Sequence, residues 1–385
     1  MNNFEFYNPV KILFGEGKIA DICKEIPPNS KVLVTYGGGS IKRNGVYNQV
    51  MQALKGFEVF EFEGIEANPR FETLIKAVAL AKENSIDFLL AVGGGSVIDG
   101  TKFISAAIPF KDDPWLLLTG GKSVVIERTV PFGTVLTLPA TGSEMNSGSV
   151  ISRESTKEKF AFGSPLLFPS FSVLDPTTTY SLPKNQIVNG IIDAFVHVTE
   201  QYITYPVYAT VQDKWAEGLL QTLIEIGPKA IANPLDYDTR SNIMWSCTMA
   251  LNGIIGVGVP TDWSTHMIGH ELTALLGLDH AVTLAIVLPS LLREAKDEKR
   301  EKLLQYAEKV WSISSGDEDF RIEMAIENTE QFFRSLGVAT KLSEYGVAYI
   351  DLTQIPERFT QRRWKLGERR SITPERVERI IAASI

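Results

Sequence analysis

The sequence predicts an α/β domain built on a mostly parallel sheet, followed from about residue 180 by a nearly all-helical domain. Two observations carry this. In the first half, short apolar runs of strand length alternate with stretches of helical periodicity. In the second half, long helical patterns are broken by Gly and Pro at 227–228, 256–260 and 336–337. KVLVTY at 31–36 reads as a buried strand and stops at Gly37, Gly38 and Gly39. A helical stretch from Asn44 to about Leu54 leads to FEVFEF at 57–62, the next strand. Across 70–84, Leu74, Ile75, Val78, Ala79 and Ala81 share one broad apolar face, as a helix requires. DFLLAV at 87–92 is the third strand; it ends in GGGS, where another helix is expected to begin. TVLTLPAT at 134–141 runs from strand into loop, and 149–175 reads as a β-rich excursion closing near VLDP. The expected domains are 1–180 and 181–385. No internal repeat or low-complexity segment is visible.

Composition narrows the function classes. The 385 residues are 44% hydrophobic, enough for one or two sizeable cores. A formal net charge of −8 gives no reason to expect nucleic acid or an anionic membrane as partner. Arg362, Arg363, Lys365, Arg369 and Arg370 cluster late and read as a solvated helix face. Cys23 and Cys247 form no CxxC pair and no disulfide framework, which fits a reducing, cytoplasmic setting. MNNFEFYNPVKILFG lacks the apolar core of a signal peptide, and no run approaches the about 18 apolar residues of a membrane helix.

The four histidines, His197, His266, His270 and His280, all fall in the helical half. Asp193 and His197 are spaced i,i+4, which puts both side chains on one helix face. His266 and His270 repeat that spacing, and His280 follows a Leu-Gly-Leu-Asp turn that lets it swing back. One carboxylate with imidazoles suits zinc or ferrous iron, and an open position would make the site catalytic. A single such pair arises by chance on many helices; the gathering of all four histidines is harder to dismiss. One imidazole is surplus to a four-ligand site and is left for proton handling.

Two strands end in the same GGGS, at 37–40 and 93–96. Glycines allow a tight turn and close ligand approach, and amides at a helix start favour phosphate. Neither turn fits G-x-G-x-x-G. Taking the first as a dinucleotide fingerprint would assign Glu61 or Glu63 to a ribose, but the spacing is approximate and the fingerprint broken. A third loop, LPATGSEMN at 138–146, offers hydroxyl donors to the same crevice.

Taken in order, TYGGGSIKRNGVY, LLAVGGGSVIDGTKFI, LTLPATGSE, VLDP, NGIIDAFVHVTEQY and HMIGHELTALLGLDHAVTLAIVLP resemble the iron-type (group III) alcohol dehydrogenases. Within them the chain is similar to the NADPH-dependent aldehyde reductase and butanol dehydrogenase branch. The resemblance runs from YNPVKILFG to the terminal helix and is weaker after about 340. It implies the dehydroquinate synthase-like fold, with a Rossmann-like parallel sheet, a helical domain and an active site in the cleft between them. It implies Asp193, His197, His266 and His280 as ligands of one divalent ion, iron or zinc, and His270 as the further histidine near substrate and nicotinamide. Gly94, Gly95 and Ser96 correspond to the pyrophosphate site, with Asp99 close enough to count among both cofactor-binding and catalytic residues. Thr137, Thr141 and Lys159 match cofactor-contacting positions.

The resemblance also places the adenosine ribose beside Gly37, Gly38, Gly39 and Ser40. An acid in that turn is expected of an NAD enzyme; its absence implies NADP(H), with Lys42 or Arg43 near the 2′-phosphate, and Gly39→Asp is expected to weaken NADPH most. The implied reaction is aldehyde reduction, with unbranched aldehydes of medium length as substrates. Two other readings stay open: a glycerol dehydrogenase-like polyol oxidoreductase, and a non-catalytic NADP-binding metalloprotein. A homodimer, paired through the strand near Val10–Leu13, is the expected assembly.

Overall fold

The computed structural model describes residues 1–348 and 352–385. Its strands are β1 (Lys11–Phe14), β2 (Lys31–Tyr36), β3 (Glu58–Glu63), β4 (Phe88–Gly94), β5 (Phe132–Leu138), β6 (Gly148–Arg153), β7 (Glu158–Gly163) and β8 (Phe171–Leu174). The α-helices of the first half are α1 (Ser40–Arg43), α2 (Val46–Ala53), α3 (Phe71–Glu83), α4 (Gly95–Ala107) and α5 (Leu116–Thr119). Then come α6 (Lys184–Tyr202), α7 (Thr210–Ala232), α8 (Tyr237–Ala250), α9 (Ser264–Leu276) and α10 (His280–Glu294). The last are α11 (Arg300–Lys309), α12 (Glu318–Ser335), α13 (Gln354–Gln361) and α14 (Pro374–Ala383).

These elements make two compact units, one of Tyr7–Pro183 with Leu235–Thr248, the other of Met1–Phe6, Lys184–Pro234 and Met249–Ile385. The sheet unit has six strands in the order β1-β8-β5-β4-β2-β3, all pairs parallel. Side chains alternate between its faces, as strand geometry demands. Val32, Val34, Tyr36, Phe88, Leu90 and Val92 enter one core; Leu33, Leu89 and Ala91 enter the other. Both faces are covered, so KVLVTY and DFLLAV are nearly continuous apolar runs rather than alternating ones. The chain steps from β2 to β3, then returns to lay β4 on the other side of β2. This is a topological switch point, and both GGGS turns leave the carboxyl ends of its two strands. An antiparallel hairpin of β6 and β7 follows the third loop.

The expected break at 180 and the unit boundary after Pro183 lie close together, but the partition is not a single cut. Leu235–Thr248, expected in the helical half, belongs to the sheet unit. There Met244 is buried in the sheet core, and Thr248 Oγ1 donates to Glu144 Oε1 at 2.5 Å. Conversely, the first residues join the helical unit, where the Asn2 amide donates to Gly258 O at 2.9 Å.

In the helical unit, α6 packs on α7 and α10, and α10 packs on α9. From Ile187 to Tyr202 nearly every side chain of α6 is buried, so this is an interior helix in which polar residues need a reason. The late basic cluster is not a helix face: α13 ends at Gln361, and Arg363 and Arg370 have positive φ. Arg362 bonds Glu271, and Arg369 lies 4.5 Å over the Tyr205 ring. Among the described residues no helix is long and apolar enough to cross a membrane.

Candidate metal centre and nucleotide turns

Asp193 and His197 lie one turn apart on α6, His266 on the first turn of α9, and His280 at the first position of α10. Asp193 and His197 are 3% and 5% exposed, and His266 is 7% exposed, against the general reluctance of such groups to be buried. One carboxylate oxygen is the focus. Asp193 Oδ1 stands 3.6 Å from His266 Nε2, 3.7 Å from His197 Nε2 and 3.8 Å from His280 Nε2. Asp193, His266 and His280 form the tightest group, with one donor atom each inside 4.8 Å. His197 stacks on His266 with ring centroids 4.5 Å apart.

These residues fit a metal ion. A tetrahedral ion with bonds of about 2.1 Å separates its ligand atoms by roughly 3.4 Å, close to the separations here. Asp193 Oδ1 and His266 Nε2 are buried and, among the described residues, have no hydrogen-bond partner, which is costly unless something else satisfies them. Without an ion, the charges of these groups depend on one another. Burial alone would raise the Asp193 carboxyl, but His197, His266 and His280 hold it well below the usual range. Burial pushes His197 down to about 4, leaving its imidazole neutral at pH 7. Burial also opposes charge on His266, yet Glu200 and Asp193 on either side hold it up to about 9.

Glu200 was not legible as a site residue in the sequence. Its Oε2 accepts from His266 Nδ1, and its Oε1 accepts from the Thr265 amide at 2.6 Å. The bond fixes the His266 tautomer and aims Nε2 at Asp193, a familiar support for metal-binding histidine. The available signal was a carboxylate three residues after His197 on the same helical stretch. His270, one turn beyond His266 on α9, lies in the same cluster of imidazoles; its ring centroid is 5.0 Å from that of His280 and 6.2 Å from that of His266.

In the sheet unit, the second glycine turn, the third loop and the hairpin come together. α4 begins at Gly95 with no side chain capping it, so its first amides are available to an anion. A Cβ on Gly95 would stand 2.2 Å from Thr141 Oγ1, which is why this position needs glycine. Thr137 is buried at the end of β5. The Asn68 amide donates to Ser96 Oγ at 3.4 Å, and Lys159 Nζ donates to Asn68 Oδ1 at 2.9 Å, so Asn68 links Lys159 to Ser96. Asp99 is occupied by the loop and hairpin: its oxygens accept from Ser143 Oγ at 2.5 Å and the Val150 amide at 2.9 Å. The buried Lys102, also missed, donates to Ser143 Oγ at 2.8 Å, Asn146 Oδ1 at 2.9 Å and Gly148 O at 2.7 Å. Its signal was a cation one turn after Asp99 within an apolar helix. Burial pushes it down to about 8.

The first turn differs from its expected surroundings. Glu61 is engaged by Tyr36 and Tyr47, but Glu63 lies beside the turn. A Cβ on Gly39 would stand 3.1 Å from Glu63 Oε1, and Lys42 Nζ pairs with Glu63 Oε2 at 2.8 Å. Gly37, Gly38, Gly39 and Ser40 thus form a turn with no acid of its own but with a Lys42–Glu63 pair at its side.

The chain matches the family model for iron-containing alcohol dehydrogenase over residues 9–176. It matches the model for the C-terminal part of the Fe-containing alcohol dehydrogenase family over 187–385. It is 55% identical to the NADPH-dependent aldehyde reductase YqhD of Escherichia coli (strain K12), covering 100% of both chains. The crystal structure of that E. coli protein superposes with a TM-score of 0.97, covering 100% of this chain and 99% of the other. A probable NADH-dependent butanol dehydrogenase of Bacillus subtilis (strain 168) is 42% identical, again over 100% of both chains. The sheet topology, the Asp–His cluster and these full-length matches agree: the chain belongs to the iron-containing alcohol dehydrogenase family.

Proposed function

We propose that the protein is a metal-dependent, NADP(H)-using alcohol dehydrogenase that acts mainly as an aldehyde reductase. The observation that carries this is the buried Asp193 oxygen facing three imidazole nitrogens at 3.6 to 3.8 Å. Full-length likeness to an NADPH-dependent aldehyde reductase supports the substrate and cofactor class. Asp193, His197, His266 and His280 hold one divalent ion, iron or zinc, through a borderline N/O donor set. Bound together, the ion supplies Lewis acidity to a carbonyl oxygen and NADPH supplies the hydride.

The chain's own residues do the rest. Glu200 keeps the proton of His266 on Nδ1 and its Nε2 lone pair turned to the ligand cluster. His270, outside the ligand set, orients substrate and passes the proton that the alcohol oxygen needs. Gly94, Gly95, Ser96 and Lys159 receive the pyrophosphate, with Thr137 and Thr141 beside it. Asp99 and Lys102 hold the third loop in place for it. Gly37, Gly38, Gly39 and Ser40 leave room for the 2′-phosphate, and Lys42 is near enough to pair with it. The sheet unit is thus the dinucleotide domain, and the helical unit carries metal and substrate. The protein is read as a cytoplasmic homodimer joined through β1, an edge strand whose Phe14 is exposed beside the exposed Trp245.

Turnover of butanal with NADPH, before and after chelation and metal restoration, tests the core of this reading. Butanal reduction is expected to outpace butanol oxidation near neutral pH. Preference for a polyhydroxy or phosphorylated substrate, or full activity without metal, rejects it.

A further inference from the structure

Lys299 is 3% exposed and sits among two buried carboxylates. Its Nζ is 2.8 Å from Asp262 Oδ2 and 2.9 Å from both oxygens of Glu368. It also donates to Ile203 O at 2.9 Å, just past the end of α6. Asp262 precedes α9: its Oδ1 accepts from the Ser264 amide at 2.9 Å, and its own amide donates to Glu200 O at 2.9 Å. Between Asp262 and Ser264, Trp263 has φ 67° and ψ 7°, a left-handed conformation that a bulky L-residue adopts only when its surroundings impose it. The Trp263 ring packs against both His197 and His266, at 6.2 and 5.6 Å. Ionic groups so buried are weak evidence for stability, because desolvation offsets their attraction. Their geometry points elsewhere. α6 brings Asp193, His197 and Glu200; α9 brings His266; Lys299 is tied to the end of the first helix and the start of the second.

We propose that Lys299 is a positioning residue of the metal site: through Ile203 and Asp262 it locks α6 to the start of α9 and so sets His266 against Asp193. Lys299 bonds none of the proposed ligands itself and acts through Ile203 at the end of α6 and through Asp262 and the Trp263 turn before α9. Without its ammonium, Asp262 and Glu368 lose their buried counter-ion, the turn relaxes, and His266 Nε2 moves off the shared focus. The inference rests on the metal reading of Asp193, His197, His266 and His280.

The test is Co(II) affinity of the full-length protein, stripped of metal and titrated against a competing chelator, with the Co(II) absorption spectrum recorded. Lys299→Met removes the ammonium at similar volume. Asp262→Asn keeps a cap on Ser264 through its amide oxygen but turns an NH2 towards Lys299, breaking only the link. Each is expected to weaken Co(II) binding about 10-fold or more, as supporting residues of metal sites do, and to alter the spectrum while far-UV circular dichroism is unchanged. A purely structural role lowers the melting temperature and leaves affinity and spectrum of the folded protein as in wild type; that result overturns the proposal. If Lys299→Met does not fold, Asp262→Asn decides alone. His266→Ala is the control: wild-type Co(II) affinity there rejects the metal reading itself, not merely the role of Lys299.

Discussion

Asp193 Oδ1 is buried, has no hydrogen-bond partner among the described residues and faces three imidazoles, an arrangement that a bound cation satisfies. Replacing His266 or His280 by Ala is therefore expected to lower metal content and butanal turnover together, turnover by about 100-fold or more. Metal analysis beside kinetics checks this; near-normal turnover with full metal content in both variants rejects the ligand set. His270→Ala should keep its metal yet lose turnover, because Asp193, His197, His266 and His280 already supply four donors. Lys102 gives a prediction of another kind. Burial pushes its ammonium from the ordinary 10.5 down to about 8 in the folded protein. Above pH 8 the unfolded chain then binds more protons than the folded one, so stability rises with pH between about 8 and 10.5. The contribution is on the order of 3 kcal/mol over that window. Urea unfolding of wild type and Lys102→Met at pH 7.5 and 10 reads it as a wild-type gain that the variant lacks; parallel pH dependence in both disproves it. At this scale the histidine pattern was legible, because i,i+4 spacing is a local property of a helix. Glu200 was not, since its partner His266 is 66 residues away.

Among the elements, the glycine turns show how structure sharpens an experiment. Gly39→Asp is a mixed probe: Gly39 has φ 77°, and a Cβ there meets Glu63. A Cβ on Gly38 would have nothing within 4 Å, and the Gly38 φ is open to any residue. Gly38→Asp is accordingly the clean test. It should cut kcat/KM for NADPH at least about 10-fold, roughly 1.4 kcal/mol, and change that for NADH little. An unchanged ratio means that the 2′-phosphate is not read at this turn. β2, α3 and β4 were legible because their patterns repeat within a few residues. The placement of α8 was not: its sequence mixes Arg240, Asn242 and Ser246 with Met244 and Trp245, and only burial of Met244 in the sheet core assigns it.

For the whole molecule, β1 is an edge strand of the six-stranded sheet, and edges are where a second chain adds. Phe14 is 38% and Trp245 41% exposed, with rings edge to face at 6.0 Å. Phe14→Asp is expected to shift sedimentation from dimer to monomer, and a wild-type monomer would disprove the pairing. By itself the sequence determined the parallel sheet, the helical second half, the four histidines with Asp193 and the glycine turns at strand ends. Each of these is written in local periodicity or composition. The tertiary structure alone decided which unit takes α8 and the segment Met1–Phe6. It alone set Glu63 beside Gly39, Glu200 behind His266 and Lys102 under the third loop. The physical reason is one of range: period-2 and i,i+4 patterns act between chain neighbours, whereas buried charges find partners across many tens of residues, by a packing that no short window encodes.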